Sequence, residues 1–168
     1  KGAIAIKDLF RNTLRMRPDR IIIGECRGIE TLDMLQAMNT GHDGSMTTVH
    51  ANSTHDVLVR FDSMILMSGI ELPIRAIREM VASAIDLIIH TARLSDGSRK
   101  IVQITEAAGM KDEMHINLQD IFIFKQTGVD NQGNVLGDFQ ATGYAPSFIE
   151  EIKKKGISLS EDIFHPST

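Results

Sequence analysis

An apolar strand that stops at an acid is the first pattern in this sequence with chemical content. Arg17-Pro18-Asp19-Arg20 leads into Ile21-Ile22-Ile23, and Gly24-Glu25 ends the run. A buried strand is stiff, so an acid at its C-terminal tip is held at the carboxyl edge of the sheet, where open α/β sheets bind ligands. A carboxylate fixed there can organise a magnesium ion or the water that attacks a phosphate. Acids also end buried strands for solvation alone, and the pattern by itself does not separate the two readings. Further along, Gly41-His42-Asp43-Gly44-Ser45-Met46-Thr47-Thr48-Val49-His50-Ala51-Asn52 sets two histidines about a hydroxyl-rich segment. Imidazole can sense a phosphate or donate to it, and the Ser and Thr hydroxyls can pass a hydrogen bond along a strand. In the plainer alternative His42 caps a turn and His50 is a satisfied, half-buried side chain. A zinc site built from His42, His50, His55 and Cys26 fits poorly, because the spacing matches no usual ligand pair and no second cysteine supports it.

The elements that must position these residues follow from periodicity. Ile6, Leu9, Phe10, Thr13 and Leu14 recur at helical spacing, and Pro18 marks the stop. Ile21 to Ile23 is fully apolar, as strands covered on both faces are. Ile29, Leu32, Leu35 and Met38 mark one face of a second helix, and a second strand is expected over Ser45 to His50. Val57, Leu58, Phe61, Met64 and Ile65 predict a third helix closed by Gly69. Pro73 suits the first position of a fourth, with Ile74, Ile77, Val81 and Ala84 as its buried stripe. The order is that of an α/β fold with a parallel core. After Ala84 the pattern turns β-rich: Asp86 to Arg93, a turn at Ser95-Asp96-Gly97-Ser98, and Lys100 to Glu106. Further strands are expected at Ile116, Leu118, Ile121 to Phe124 and Val135 to Gln140, on the same sheet or beside it. A short helix is expected over Pro146 to Lys155, with a loosely held tail from Gly156.

The 168 residues, 42% hydrophobic and 24% charged, are ordinary for a globular domain with a real core. A formal net charge of −4 runs against a general nucleic-acid binder, so no sequence-specific nucleic-acid contact is expected. Cys26 is the one cysteine, which excludes an intrachain disulfide and fits a reducing compartment. No apolar run approaches the ~20 residues of a membrane span. Lys1 is not a methionine and the first motif begins in mid-domain, so the chain is expected to be a piece of a longer protein.

Leu14-Arg15-Met16-Arg17-Pro18-Asp19-Arg20 through Gly24-Glu25-Cys26-Arg27-Gly28 resembles the Walker B region of the secretion ATPases that serve type II secretion, type IV secretion and type IV pili. Gly41-His42-Asp43-Gly44 through Thr47-Thr48-Val49-His50-Ala51-Asn52 is similar to their His box. Asp33 to His42 looks most like the branch that assembles Flp or Tad pili, and the likeness runs from about Gly2 to Phe124. It implies the C-terminal part of a RecA-like P-loop NTPase domain over residues 1–125, with 126–168 as a hairpin, short helix and tail completing it. It further implies Glu25 as the acid that organises magnesium through water, with His42 and His50 as the pair that couples the phosphate state to movement. Arg15, Arg17, Arg27, Thr47 and Thr48 become nucleotide or inter-subunit contacts, with structural salt bridges an equal alternative for the arginines. The implied cofactors are ATP and Mg in the complete protein. The implied setting is a hexamer at the cytoplasmic face of the inner membrane, working on platform proteins. The sequence contains no Gly-x-x-x-x-Gly-Lys-Ser/Thr loop, so this chain alone is expected to be inactive, and to dimerise through surface left uncovered. Two other readings stay open: a non-enzymatic module that binds a neighbour or platform through its β-rich end, and a small metal-dependent hydrolase.

Overall fold

The computed structural model describes residues 4–166 and divides into two compact units. Among these residues, the first unit takes those up to Ile85 with Gly109–Ile116, and the second Asp86–Ala108 with those from Asn117 on. The elements mix helices and strands, with an antiparallel sheet towards the C-terminus, as the sequence predicts. The expected division after residue 125 falls inside a strand. Among the described residues, no helix is long and apolar enough to cross a membrane.

In the first unit, helix α1 (Ile6–Arg15) starts with the Ala5 N–H donating to the Asp8 carboxylate at 3.1 Å. It stops where Arg17 takes a φ of 52°, the left-handed turn that often closes helices, just before Pro18. Strand β1 (Ile22–Ile23), helix α2 (Glu30–Met38) and strand β2 (Met46–Thr47) form a β-α-β unit in which the strands run parallel, Ile22 opposite Met46 and Ile23 opposite Thr47. The ladder is shorter than the Ser45–His50 strand expected. Ser45 is diverted into the preceding turn: its N–H and its hydroxyl both donate to the His42 carbonyl, at 3.2 and 2.7 Å, and its Oγ accepts from the Ile21 N–H at 2.9 Å. Gly44 is required in that turn, because its φ is 78° and an added Cβ would lie 2.7 Å from the Arg20 side chain.

Helix α3 (Thr54–Leu66) is capped by Ser53, whose hydroxyl accepts from the Asp56 N–H at 3.0 Å. Helix α4 (Ile74–Ala84) follows, with Pro73 as the cap before the helix and not its first residue. Met34 and Leu35 of α2, Ile65 of α3, and Ile77 and Val81 of α4 are each at most 1% exposed. Each such burial is worth about 1.5–3 kcal/mol. Phe10, Ile21 and Ala37 form a second cluster that seats β1 against α1 and α2. A polar brace joins α3 and α4: Arg78 donates to Asp62 Oδ2 from Nη2 at 2.9 Å and Nε at 3.1 Å, and its remaining amine reaches the Met114 carbonyl. Asp62 Oδ1 is buried without a partner, so Arg78 alone offsets that charge.

The second unit is a four-stranded sheet in the order β3 (Leu87–Arg93), β4 (Arg99–Met110), β5 (Ile116–Val129), β6 (Val135–Ala141). It is separate from the β1–β2 pair. The segments expected at 116, 118 and 121–124 merge into the single strand β5. In the β3–β4 turn, Asp96 accepts the Ser98 N–H at 2.8 Å and the Val135 N–H at 2.9 Å. Hydrogen bonds from Ser98 and then Val135 hold its carboxyl down at about 2. Helix α5 (Ile149–Lys154) is shorter than the 146–155 span expected, because Ser147 is committed to a buried acid. That acid, Glu106, is 2% exposed and accepts the Tyr144 hydroxyl at 2.6 Å, the Ser147 N–H at 3.0 Å and the Ser147 hydroxyl. Burial, with Glu106 beside it, pushes the Tyr144 hydroxyl up to about 12. The tail expected to be loose is held instead: a 3-10 turn at Glu161–Phe164 buries Phe164 against Ile121 and Ile149.

Two predictions arise here. Replacing Arg78 by Ala strands the Asp62 carboxylate and lowers unfolding free energy by about 3 kcal/mol, whereas the double change Asp62→Leu/Arg78→Met recovers most of it; urea denaturation of the three variants decides this. For Asp96, the folded carboxyl sits below the unfolded value of about 3.9, so its contribution is complete above that value and drains away as pH falls towards 2. The gap in urea midpoint between wild type and Asp96→Asn is therefore flat above about pH 5 and narrows below about pH 4.

Candidate functional site

Two backbone hydrogen bonds extend the pairing of β1 and β2 past the ladder. The Met46 N–H donates to the Ile21 carbonyl at 2.9 Å where the strands begin, and the Cys26 N–H donates to the Thr48 carbonyl at 2.9 Å where they end. The second bond sets the two exits side by side, with Glu25 one residue before it and His50 two residues after. The Thr48 hydroxyl donates to the Gly24 carbonyl at 2.6 Å and ties the exits again. The Thr47 hydroxyl points to the other side of β2, onto Cys26 Sγ at 3.3 Å.

Three charged or chargeable side chains meet at this carboxyl edge. Glu25 Oε2 lies 2.5 Å from Arg27 Nε and 3.5 Å from His50 Nε2. Glu25 is half-buried, while Arg27 and His50 are exposed, so the guanidinium and the imidazole approach the acid from the solvent side. The base beneath them is rigid. Glu30, buried at the start of α2, accepts the backbone N–H groups of Arg27 and Gly28 at 2.7 and 3.0 Å. Burial pushes the Glu30 carboxyl up, but these donors outweigh it and the net direction is down, which keeps the group charged. Sequence reasoning passed over Glu30. Its signal was an acid three residues after Arg27 at a helix start, the spacing at which a side chain reaches back to free backbone donors.

Cys26 is 1% exposed and 3.3 Å from Met34 Sδ. Burial raises its thiol, and the Thr47 hydroxyl only partly offsets this. It is a packing residue and not a reactive thiolate.

The other expected site residues lie elsewhere. His42 precedes β2, and its Nδ1 is 3.2 Å from the Ala37 carbonyl at the end of α2. Because the strands are parallel, this is the amino edge of the pair, the opposite end from Glu25 and His50. Arg15 and Arg17 are exposed at the end of α1, before β1, on the same amino side. The structure thus brings together Glu25, His50, Arg27 and the Thr48 hydroxyl. It does not bring His42, Arg15 or Arg17 to them.

Among the described residues no group of three or more His, Cys, Asp or Glu side chains is arranged to hold a metal. One half-buried carboxylate is nevertheless the donor set that suits Mg, which keeps several waters and is held by one or two carboxylates together with substrate phosphates. Glu25 fits that part. It does not fit a metal held by protein alone.

Residues 1–136 match the family model for type II/IV secretion system proteins. A Mycobacterium tuberculosis protein whose name refers to conjugal transfer is 40% identical over 103 residues, which is 61% of this chain and 29% of its own length. The type IV secretion system protein PtlH of Bordetella pertussis is 35% identical over 113 residues, 65% of this chain and 33% of that protein. Among solved structures, the VirB11 ATPase of the Brucella suis type IV secretion system superposes with a TM-score of 0.55 at 32% identity, covering 58% of this chain and 32% of that one. The chain therefore spans about a third of the length of the relatives it matches. With four-fifths of its length under the family model, this chain belongs to the type II/IV secretion system protein family.

Proposed function

We propose that this chain is the C-terminal part of an ATPase that drives transport or pilus assembly, and that Glu25 is its hydrolytic acid. The observation that carries this is the convergence of Glu25 and His50, 3.5 Å apart, at the carboxyl edge of a parallel strand pair in a chain of this family. Open α/β sheets bind their ligands at that edge. When bound, Mg would supply charge neutralisation at the phosphates. Glu25 holds water in place for that ion and for attack. His50, exposed beside it, reports the phosphate state by donating to it or to Glu25. Thr48 fixes the exit of β1 through the Gly24 carbonyl, so that the carboxylate cannot drift. His42 acts at the far end of β2, where it holds the turn that launches the strand. That makes it a positioning residue in this reading. Arg15 and Arg17, on the same far edge, suit contacts to a neighbouring subunit.

The finer features rest on resemblance. They are a hexameric assembly, an inner-membrane platform as partner, a cytoplasmic face of action, and pilus assembly of the Flp/Tad kind. This chain alone is inactive, because it carries no glycine-rich lysine loop to grip the phosphates. A specific observation favours a second reading for the C-terminal unit. Its sheet leaves Ile89, Ile101, Val129 and Phe139 each 44–53% exposed, apolar area suited to a neighbour or platform.

A full-length protein that joins this segment to a phosphate-binding loop hydrolyses ATP in a magnesium-dependent manner, and Glu25→Gln lowers turnover by about 100-fold or more while nucleotide is still bound. Unchanged turnover removes Glu25 from the mechanism. For the second reading, light scattering of this chain without nucleotide shows association that Ile89→Lys/Phe139→Lys abolishes; a strictly monomeric wild type dismisses it.

A further inference from the structure

The closest contact at the site is not between the acid and the imidazole. It is the 2.5 Å ion pair between Arg27 Nε and Glu25 Oε2, the same oxygen that His50 approaches. If that oxygen is to hold water for a metal, a guanidinium already occupies the place. The backbone on either side of the pair is fixed. The Cys26 N–H is bound to the Thr48 carbonyl, and the Arg27 N–H to the buried Glu30. The Arg27 side chain itself is 69% exposed. The two ends of the ion pair are therefore anchored on a rigid base while one arm is free to rotate into solvent, and separating them needs no change in the main chain.

We infer that Arg27 is a latch on Glu25: it occupies the carboxylate while the site is empty, and it leaves when a magnesium-bearing triphosphate arrives. This rests on the nucleotide reading above. Two cations cannot share one carboxylate oxygen at contact distance without repelling each other, so metal and guanidinium compete for it. The triphosphate supplies the arginine's alternative partner, since a planar guanidinium pairs readily with phosphate oxygens. Arg27 touches the acid and not the reacting atoms in the empty site. It is a positioning residue that keeps Glu25 aimed and its Oε2 occupied until nucleotide binds. Glu30 serves the same device from beneath, by pinning the backbone from which the arm swings.

The test uses the complete protein and titrates magnesium at a fixed concentration of a fluorescent, non-hydrolysable ATP analogue. Arg27→Gln removes the competitor, so the magnesium concentration for half-saturation falls by about two- to fivefold, the size a partly exposed ion pair is worth. Arg27→Lys, which keeps the charge but not the fork, falls between the two. In a Glu25→Gln background the Arg27→Gln change has no effect on the midpoint, because the competition runs through that carboxylate. In this chain without ligand, the 15N resonance of the Arg27 Nε–H moves in Glu25→Gln, which reports the closed latch independently of nucleotide. A midpoint that is unchanged or raised in Arg27→Gln, or a shift that persists without Glu25, overturns the latch while the nucleotide reading stands. A wild type that takes up no analogue with magnesium sinks both.

Discussion

Two hydrogen bonds hold this site in register: Met46 N–H to Ile21 carbonyl, and Cys26 N–H to Thr48 carbonyl. Between them lies a ladder of only two residue pairs, too short to be stable alone. It persists because Ile21 is buried among Phe10 and Ala37, and Cys26 among Met34 and Thr47. The apolar packing of α1 and α2 thus sets the height at which two strands emerge. The bond at Cys26 then converts that height into a side-by-side placement of an acid and an imidazole that are 25 residues apart in sequence. Without that parallel register, Glu25 and His50 are two unrelated surface residues.

Three buried acids show how burial and charge are reconciled. Glu30 is a buried acid at the start of a helix, where free backbone donors and the helix dipole both favour an anion. Asp62 solves the same problem with a single arginine and leaves one oxygen unpaired. Glu106 solves it with hydroxyls and a backbone N–H. In each case the carboxylate ties together separate segments or caps a turn.

Much of this was legible in the sequence where one physical signal dominated. Helical spacing at Phe10 and Leu14, or at Ile77 and Val81, marks the faces that are buried, whereas Leu9 and Ile6 of the same expected stripe on α1 face solvent. Gly44 and Gly97 mark turns with positive φ. The Glu25 and His50 motifs lie where strand exits must lie. What escaped was set by partners far along the chain. Ser45 looked like a strand residue by composition, yet its hydroxyl is consumed by His42 and Ile21. Ser147 looked like the first turn of a helix, yet it serves Glu106, 41 residues upstream. Phe164 sat in a polar tail with no periodicity, and only the hollow beside Ile121 and Ile149 explains its burial. The placement of His42 away from His50 follows from strand direction, which two histidines quoted in one motif do not reveal.

The first unit is completed by Gly109–Ile116, a stretch that interrupts the second unit in sequence. The chain therefore passes from one body to the other three times, at 85/86, 108/109 and 116/117. Neither body can be excised by a single cut. Truncation after Ile85 would remove Met114 from the reach of Arg78 and Glu113 from that of Arg75. Recombination that swaps the sheet for another must carry the small loop with it, so the helical unit and the β-rich unit are inherited as one piece.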